Sequence, residues 1–129
     1  MKRVIGISII ILFLIGICIS EELIVNSTLN KIENSANELY LLASSIEKID
    51  TENVIKKTEE LRGFWKGQEL ILCFFINYKD MSEMSNEIVR MDSYAKSNIK
   101  EEYLASLNLV LYYCESFNHI TGLNLQNIF

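Results

Sequence analysis

The chain has 129 residues, with 17 acidic side chains against 12 basic ones and no proline, a length that supports one domain with a single core and not two. After Ser20 the balance is ten cations against 17 acids, a formal charge of −7. That argues against nucleic acid, which is bound through basic faces, and against adsorption to anionic lipid. With no proline and only five glycines the chain lacks ordinary strand-and-turn punctuation, which favours helices.

The first element is the stretch 1–20. Lys2 and Arg3 precede sixteen uncharged residues, Val4 to Ile19, built almost entirely of Ile, Leu, Val and Phe. As a helix the run covers about 24 Å, short of a hydrocarbon core of about 30 Å. Snorkelling by Lys2 and Arg3, or a thinned bilayer, absorbs the difference. Cations before the run and Glu21 and Glu22 after it place the N-terminus in the cytoplasm and residues 21–129 outside. An uncleaved anchor, with lipid contacts through residues 4–19, is the expected form. Two rivals stay open: a signal peptide cleaved after Ser20, giving a secreted protein, and lipidation at Cys18, where Ile17 is larger than such a site prefers. All three export the remainder.

Of the three cysteines, Cys73 and Cys114 lie beyond the apolar segment. They are read either as a disulfide of an oxidising compartment or as two buried helical thiols. Asn26-Ser27-Thr28 matches a glycosylation acceptor, a pattern common by chance.

Four helices are expected, at about 21–49, 52–76, 81–97 and 99–121, the first continuing from the membrane segment. The apolar positions Val25, Leu29, Ile32, Ala36, Leu39, Ala43 and Ile46 step by four and three, the coiled-coil-like seam of a helix packing on helices. Asp50 and Thr51 offer caps for the second helix, whose seam is Val54, Thr58, Leu61, Trp65, Gln68, Leu72 and Phe75. Gly63 and Gly67 either admit a close neighbour or are simply tolerated. Leu70–Ile76, seven apolar residues in a row, is read as the buried middle of a central helix, the alternative being an exposed patch for a partner or the bilayer surface. A break or kink falls at 77–80, with Asp80 as a cap. Met81, Met84, Ile88, Met91 and Ala95 then share one face. Asn98 with Glu101 resembles a capping box, and Tyr103, Leu107, Val110, Cys114, Phe117 and Thr121 form the last seam. Gly122 is expected to stop the helix, with Leu123–Phe129 packing back on the bundle. The fold class is therefore all-α, an N-terminal membrane-spanning helix continuing into an antiparallel bundle of three to four helices.

The pattern resembles a family of short, N-terminally anchored, all-helical proteins of unknown function from Gram-positive spore-forming bacteria. The resemblance covers nearly the whole chain. It rests on the opening anchor, Trp65 followed by the apolar run into Phe75-Ile76-Asn77, the Met81–Met91 helix, and the closing Asn127-Ile128-Phe129. A histidine commonly stands in that family where this chain has Tyr78. The resemblance implies the architecture and marks Trp65, Phe75, Tyr78 and Asn127 as family-pattern or partner-contact positions. It implies no activity.

Chemistry would have to start from His119, the sole histidine. Glu115 precedes it by four residues, on the same helical face, but dinuclear bundle sites need two Glu-x-x-His motifs and further carboxylates. Neither a nucleophile elbow nor a phosphate-cradling loop is present. Lys56, Lys57, Arg62 and Lys66 are interleaved with Glu59, Glu60 and Glu69, which makes a solvated mixed face beside a core Trp65. No metal, cofactor or catalytic residue is assigned, and the chain is read as non-enzymatic. The leading expectation is an envelope protein acting through an unidentified protein partner or self-association. The alternatives are a ligand-sensing bundle working through a membrane partner and a secreted helical protein.

Overall fold

A computed structural model describes residues 1–128, with side chains described for residues 1–118. Helix α1 (Lys2–Ser44) is one unbroken helix of 43 residues, about 65 Å long. Its first half is apolar all round and entirely unburied, with a mean hydropathy of 2.6, long and apolar enough to cross a membrane. From Val25 onward it becomes a seam: Val25, Leu29, Ile32, Ala36, Leu39 and Ala43 are all buried. The matched acceptor Asn26-Ser27-Thr28 lies inside this helix, with Thr28 buried, and not on a surface loop.

The helix ends at Ser44, before the expected Ile49. The hydroxyls of Ser44 and Ser45 donate to the carbonyls of Tyr40 (2.6 Å) and Leu42 (2.8 Å), competing with the backbone for its own acceptors. Ile49 lies in the connector that follows and is nevertheless fully buried.

Helix α2 (Glu52–Leu72) begins where Thr51 accepts from the Val54 amide at 3.3 Å. Val54, Thr58, Leu61, Trp65 and Leu72 are buried as their spacing requires, with Gln68 half-buried. A Cβ added at Gly63 or Gly67 would meet nothing within 4 Å, so neither glycine serves a close approach.

The run Leu70–Ile76 is not the middle of a helix. The chain turns at residues 73–77 and starts α3 (Tyr78–Lys96) at a cap formed by Asn77, whose Oδ1 accepts from the Lys79 amide at 2.8 Å. The expected start at residue 81 and the Asp80 cap are corrected accordingly; Asp80 instead sits in the first turn of α3, where its charge suits the helix N-terminus. Because the run straddles a helix end, only Leu72 of its seven members is fully buried. Met81, Met84, Ile88, Met91 and Ala95 are buried core residues.

Asn98 caps no helix start. It closes α3 in the left-handed region at φ 56°. The Asn98 amide donates to the Ala95 carbonyl and the Ile99 amide to the Tyr94 carbonyl, the pair of bonds that defines a Schellman stop. Asparagine tolerates this backbone better than other residues with a side chain. Helix α4 (Lys100–Ile128) buries Tyr103, Leu107, Val110, Cys114 and Phe117. It continues through Gly122 to Ile128, so the expected stop and returning tail are replaced by helix. A glycine inside a helix costs only about 1 kcal/mol, and Gly122 does not end this one. The Thr121 side chain lies outside the described residues.

The four helices form an up-and-down antiparallel bundle. Each packs on two neighbours, α1 on α2 and α4, α3 on α2 and α4, around one core. Two poles result. The distal pole carries the 45–51 connector and the Ser97–Ile99 turn. The proximal pole carries the 73–77 turn beside residues 20–25 of α1.

Candidate interaction surfaces

Trp65 is buried, its indole N–H donating to Ser85 Oγ at 2.8 Å while the Ser85 hydroxyl donates to Glu69 Oε1 at 2.6 Å. Those bonds join α2 to α3 and satisfy the polar edge of a ring that would otherwise be costly to bury. Trp65 is thus an anchor of the core and offers no face to a partner. Phe75, half-buried, packs on the core and lines a groove with Phe13, Gly16, Ile17, Ser20 and Ile24 of α1. Tyr78 opens α3 and is 78% exposed. Asn127 lies on α4 with its side chain outside the described residues. Phe75 and Tyr78 therefore share the proximal pole, and Trp65 stands apart from them in the core.

The interleaved charges of α2 are used between helices. Lys57 pairs with Glu38 of α1, and Arg62 reaches Asp92 of α3 at 2.8 Å. Lys96 bridges Asp92 (3.0 Å) and Glu59 (3.1 Å), and those two acids hold the Lys96 ammonium above its ordinary pKa. Asp92 is buried, with Oδ2 taking both cations and Oδ1 left without a partner. Nearby, Thr58 gives its hydroxyl hydrogen to the Val54 carbonyl at 2.7 Å, which leaves Tyr103 as donor in the 2.8 Å bond between the two hydroxyls. Burial pushes the Tyr103 phenol up to about 12. Burial, with a smaller contribution from Glu33, likewise pushes the Cys114 thiol up to about 12. All three thiols are free, Cys73 and Cys18 exposed and Cys114 buried.

Among the described residues no group of His, Cys, Asp and Glu is arranged to hold a metal ion; the His119 side chain lies outside them. Two surfaces remain. One is an open groove of about 390 Å³ between α1 and α2, lined by Lys31, Ser35, Glu38, Lys57, Glu60 and Phe64. In it the Lys31 ammonium sits 4.2 Å from the centre of the Phe64 ring, within the range of a cation–π contact. The other is the proximal pole, where Leu70 and Phe74 are 80% and 82% exposed. Sequence reasoning missed the burial of Asp92 and the left-handed role of Asn98. Asp92 had no local signal, because its burial depends on Arg62 of the neighbouring helix; Asn98 had one, since asparagine is among the residues that take the left-handed position after a helix.

Residues 23–128 match a domain of unknown function, DUF4363, and the chain belongs to that family. The match begins just past the apolar half of α1 and takes in the whole bundle. No curated protein and no solved structure matches the chain.

Proposed function

We propose that this DUF4363 protein is a non-catalytic helical module, anchored by α1 and held at the outer face of a cell membrane, that works through protein contacts. The observation carrying the reading is that a single helix supplies both the apolar segment and the first seam of the core, with no break between them. A bundle on a continuous helix is held at a defined distance and rotation from the bilayer, which favours presenting a fixed face to a neighbour. The flanking charges, Lys2 and Arg3 against Glu21 and Glu22, support an outward-facing bundle. The setting implied by the resemblance, a Gram-positive spore-former, would leave it outside the plasma membrane. The α1–α2 groove, with charges of both signs around Phe64, suits a second helix or another copy of this chain better than a small apolar ligand.

Fractionation of cells carrying a C-terminally tagged copy, an alkaline membrane wash and an intact mass test the anchor: full-length protein is expected to stay in the membrane fraction. Crosslinking from Lys31 and Lys57 in intact membranes is expected to give one reproducible adduct, and a monomer without adducts would count against contact-mediated function. A second reading is favoured by one observation. Burial in α1 starts at Val25, so removal of residues 1–20 leaves every core residue in place, and a soluble product beginning near Glu21 would make this a secreted bundle.

A further inference from the structure

The proximal pole presents a surface unlike the rest of the bundle. Leu70, Phe74 and Tyr78 are 80%, 82% and 78% exposed, Ile71 is 42% exposed, and Cys73 lies exposed among them. Isolated apolar side chains on a protein surface are unremarkable, but a contiguous group on one turn marks a contact. Its position indicates with what. Phe75, in the same turn, lines a groove with Leu12, Phe13, Gly16 and Ile17 of the apolar half of α1 and with Ser20, Glu21 and Ile24 just beyond it. The patch therefore sits where α1 leaves the bundle.

We propose that the α2–α3 turn, Leu70–Tyr78, is a second lipid contact, seating Leu70, Ile71, Phe74 and the Tyr78 ring in the interfacial layer of the bilayer that α1 crosses. The proposal rests on α1 crossing a membrane. Three further observations favour lipid as the occupant. Phe75 lies against the stretch of α1 from Leu12 to Ile24, which holds the outer end of the apolar run Val4–Ile19 and also Glu21. With Glu21 and Glu22 kept among the headgroups, where their charge stays solvated, the turn stands at that same level. The turn also exposes few backbone donors, because four successive amides are satisfied internally: Cys73 donates to Glu69, Phe74 to Ile71, and Phe75 and Ile76 to Leu72. That suits the interfacial layer, where the remaining polar groups still meet water and headgroups. Finally, Tyr78 has an apolar ring and a polar tip, the side chain that membrane interfaces favour. With a charge of −7 beyond Ser20, the contact is driven by apolar burial and needs no anionic headgroup.

The native cysteines make the test direct. Full-length protein is reconstituted into phosphatidylcholine vesicles with the fluorophore NBD on Cys73 (in C18S), on Cys18 (in C73S), or on a distal control, Ser45→Cys (in C18S/C73S). The buried Cys114 stays in place, and mass spectrometry verifies a single label. Quenching by nitroxide placed high on the lipid acyl chain and bleaching by aqueous dithionite are then compared, the Ser45→Cys probe giving the outward-facing fraction. The expected result is that Cys73 loses intensity to the lipid nitroxide and resists dithionite, while Ser45→Cys does the reverse. A Cys73 probe that bleaches like Ser45→Cys, with the Cys18 probe in lipid, overturns the second contact and leaves the anchor standing. Protection of Cys73 from both quenchers also overturns it, because protein then covers the patch. A Cys18 probe open to dithionite removes the anchor and the proposal together.

Discussion

The two poles of the bundle are built from similar material, a short connection between antiparallel helices, and they solve the problem of ending a helix pair in opposite ways. At the distal pole polar groups reach across connections. The Asn98 side chain accepts from the Ile49 amide at 2.9 Å, and Lys100 donates to the Ile46 carbonyl at 2.7 Å. The buried Thr58–Tyr103 bond and the Lys96–Glu59 and Lys96–Asp92 pairs lie just beneath. At the proximal pole the amides of Cys73 to Ile76 are satisfied by carbonyls of the last turn of α2, and large apolar side chains are left uncovered. Directional bonds between distant residues penalise a shift of one helix along another, because a buried partner would be orphaned. The distal pole thus sets register, and the proximal pole is free to carry a surface whose composition serves something outside the bundle.

The largest expected effect that would separate the poles is at Ile49. Truncation to alanine should cost about 3 kcal/mol in chemical denaturation, the usual range for a fully buried aliphatic side chain, even though Ile49 lies outside any helix. Alkaline unfolding should come next. Tyr103 and Cys114 hold their protons more tightly folded than unfolded, up to about 12 against ordinary values of 10.0 and 9.0. Their contribution is therefore complete below pH 9, declines as pH rises past the unfolded values, and is lost as pH passes about 12. For Tyr103 alone the loss is on the order of 2 kcal/mol. Denaturation midpoints across this window should fall, and less steeply in Tyr103→Phe. The same sensitivity means that an alkaline membrane wash will loosen the bundle while leaving an inserted helix in place, so retention through the wash reports on α1.

At Asn98 two variants divide one effect. Asn98→Ala strains the left-handed backbone and also orphans the buried Ile49 amide, for about 2 kcal/mol. Asn98→Gly relieves the backbone and should lose only about half of that. Equal losses would mean that the bond across the pole carries the whole effect. On the open faces of α2, Gly63→Ala and Gly67→Ala should each stabilise by about 0.5–1 kcal/mol, since an added methyl meets nothing and the helix gains propensity. Smallest of all should be Phe74→Gln in detergent solution, within about 0.5 kcal/mol of the parent. A large loss there would show that the proximal surface belongs to the fold after all, and would end the contrast between the poles.

Much of this architecture is legible along the chain. The four-and-three spacing of Val25 to Ala43, of Val54 to Leu72 and of Tyr103 to Phe117 states which side of each helix is buried, because a helix repeats its faces locally whatever it packs on. The Thr51 cap and the unbroken passage from apolar segment to seam follow from equally local rules. The candidate surface was only half legible. Leu70–Ile76 is plainly apolar, but whether such a run is the buried middle of a helix or the exposed end of one depends on where the chain turns. Here the turn is set by Asn77 capping α3, and no proline or glycine marks it.

The chain by itself determined composition-level and periodic properties: the all-helical class, the apolar N-terminal half of α1, the acidic balance and the faces that form the core. Those depend on a residue's own chemistry and on neighbours within a turn or two. Tertiary structure decided the rest. It buries Asp92 against Arg62 and Lys96, places Asn98 over the Ile49 amide, and exposes Leu70 and Phe74 beside the apolar half of α1. Each of those outcomes depends on groups brought together from different helices, and a buried charge or an orphaned amide has an energy only once its partner has arrived.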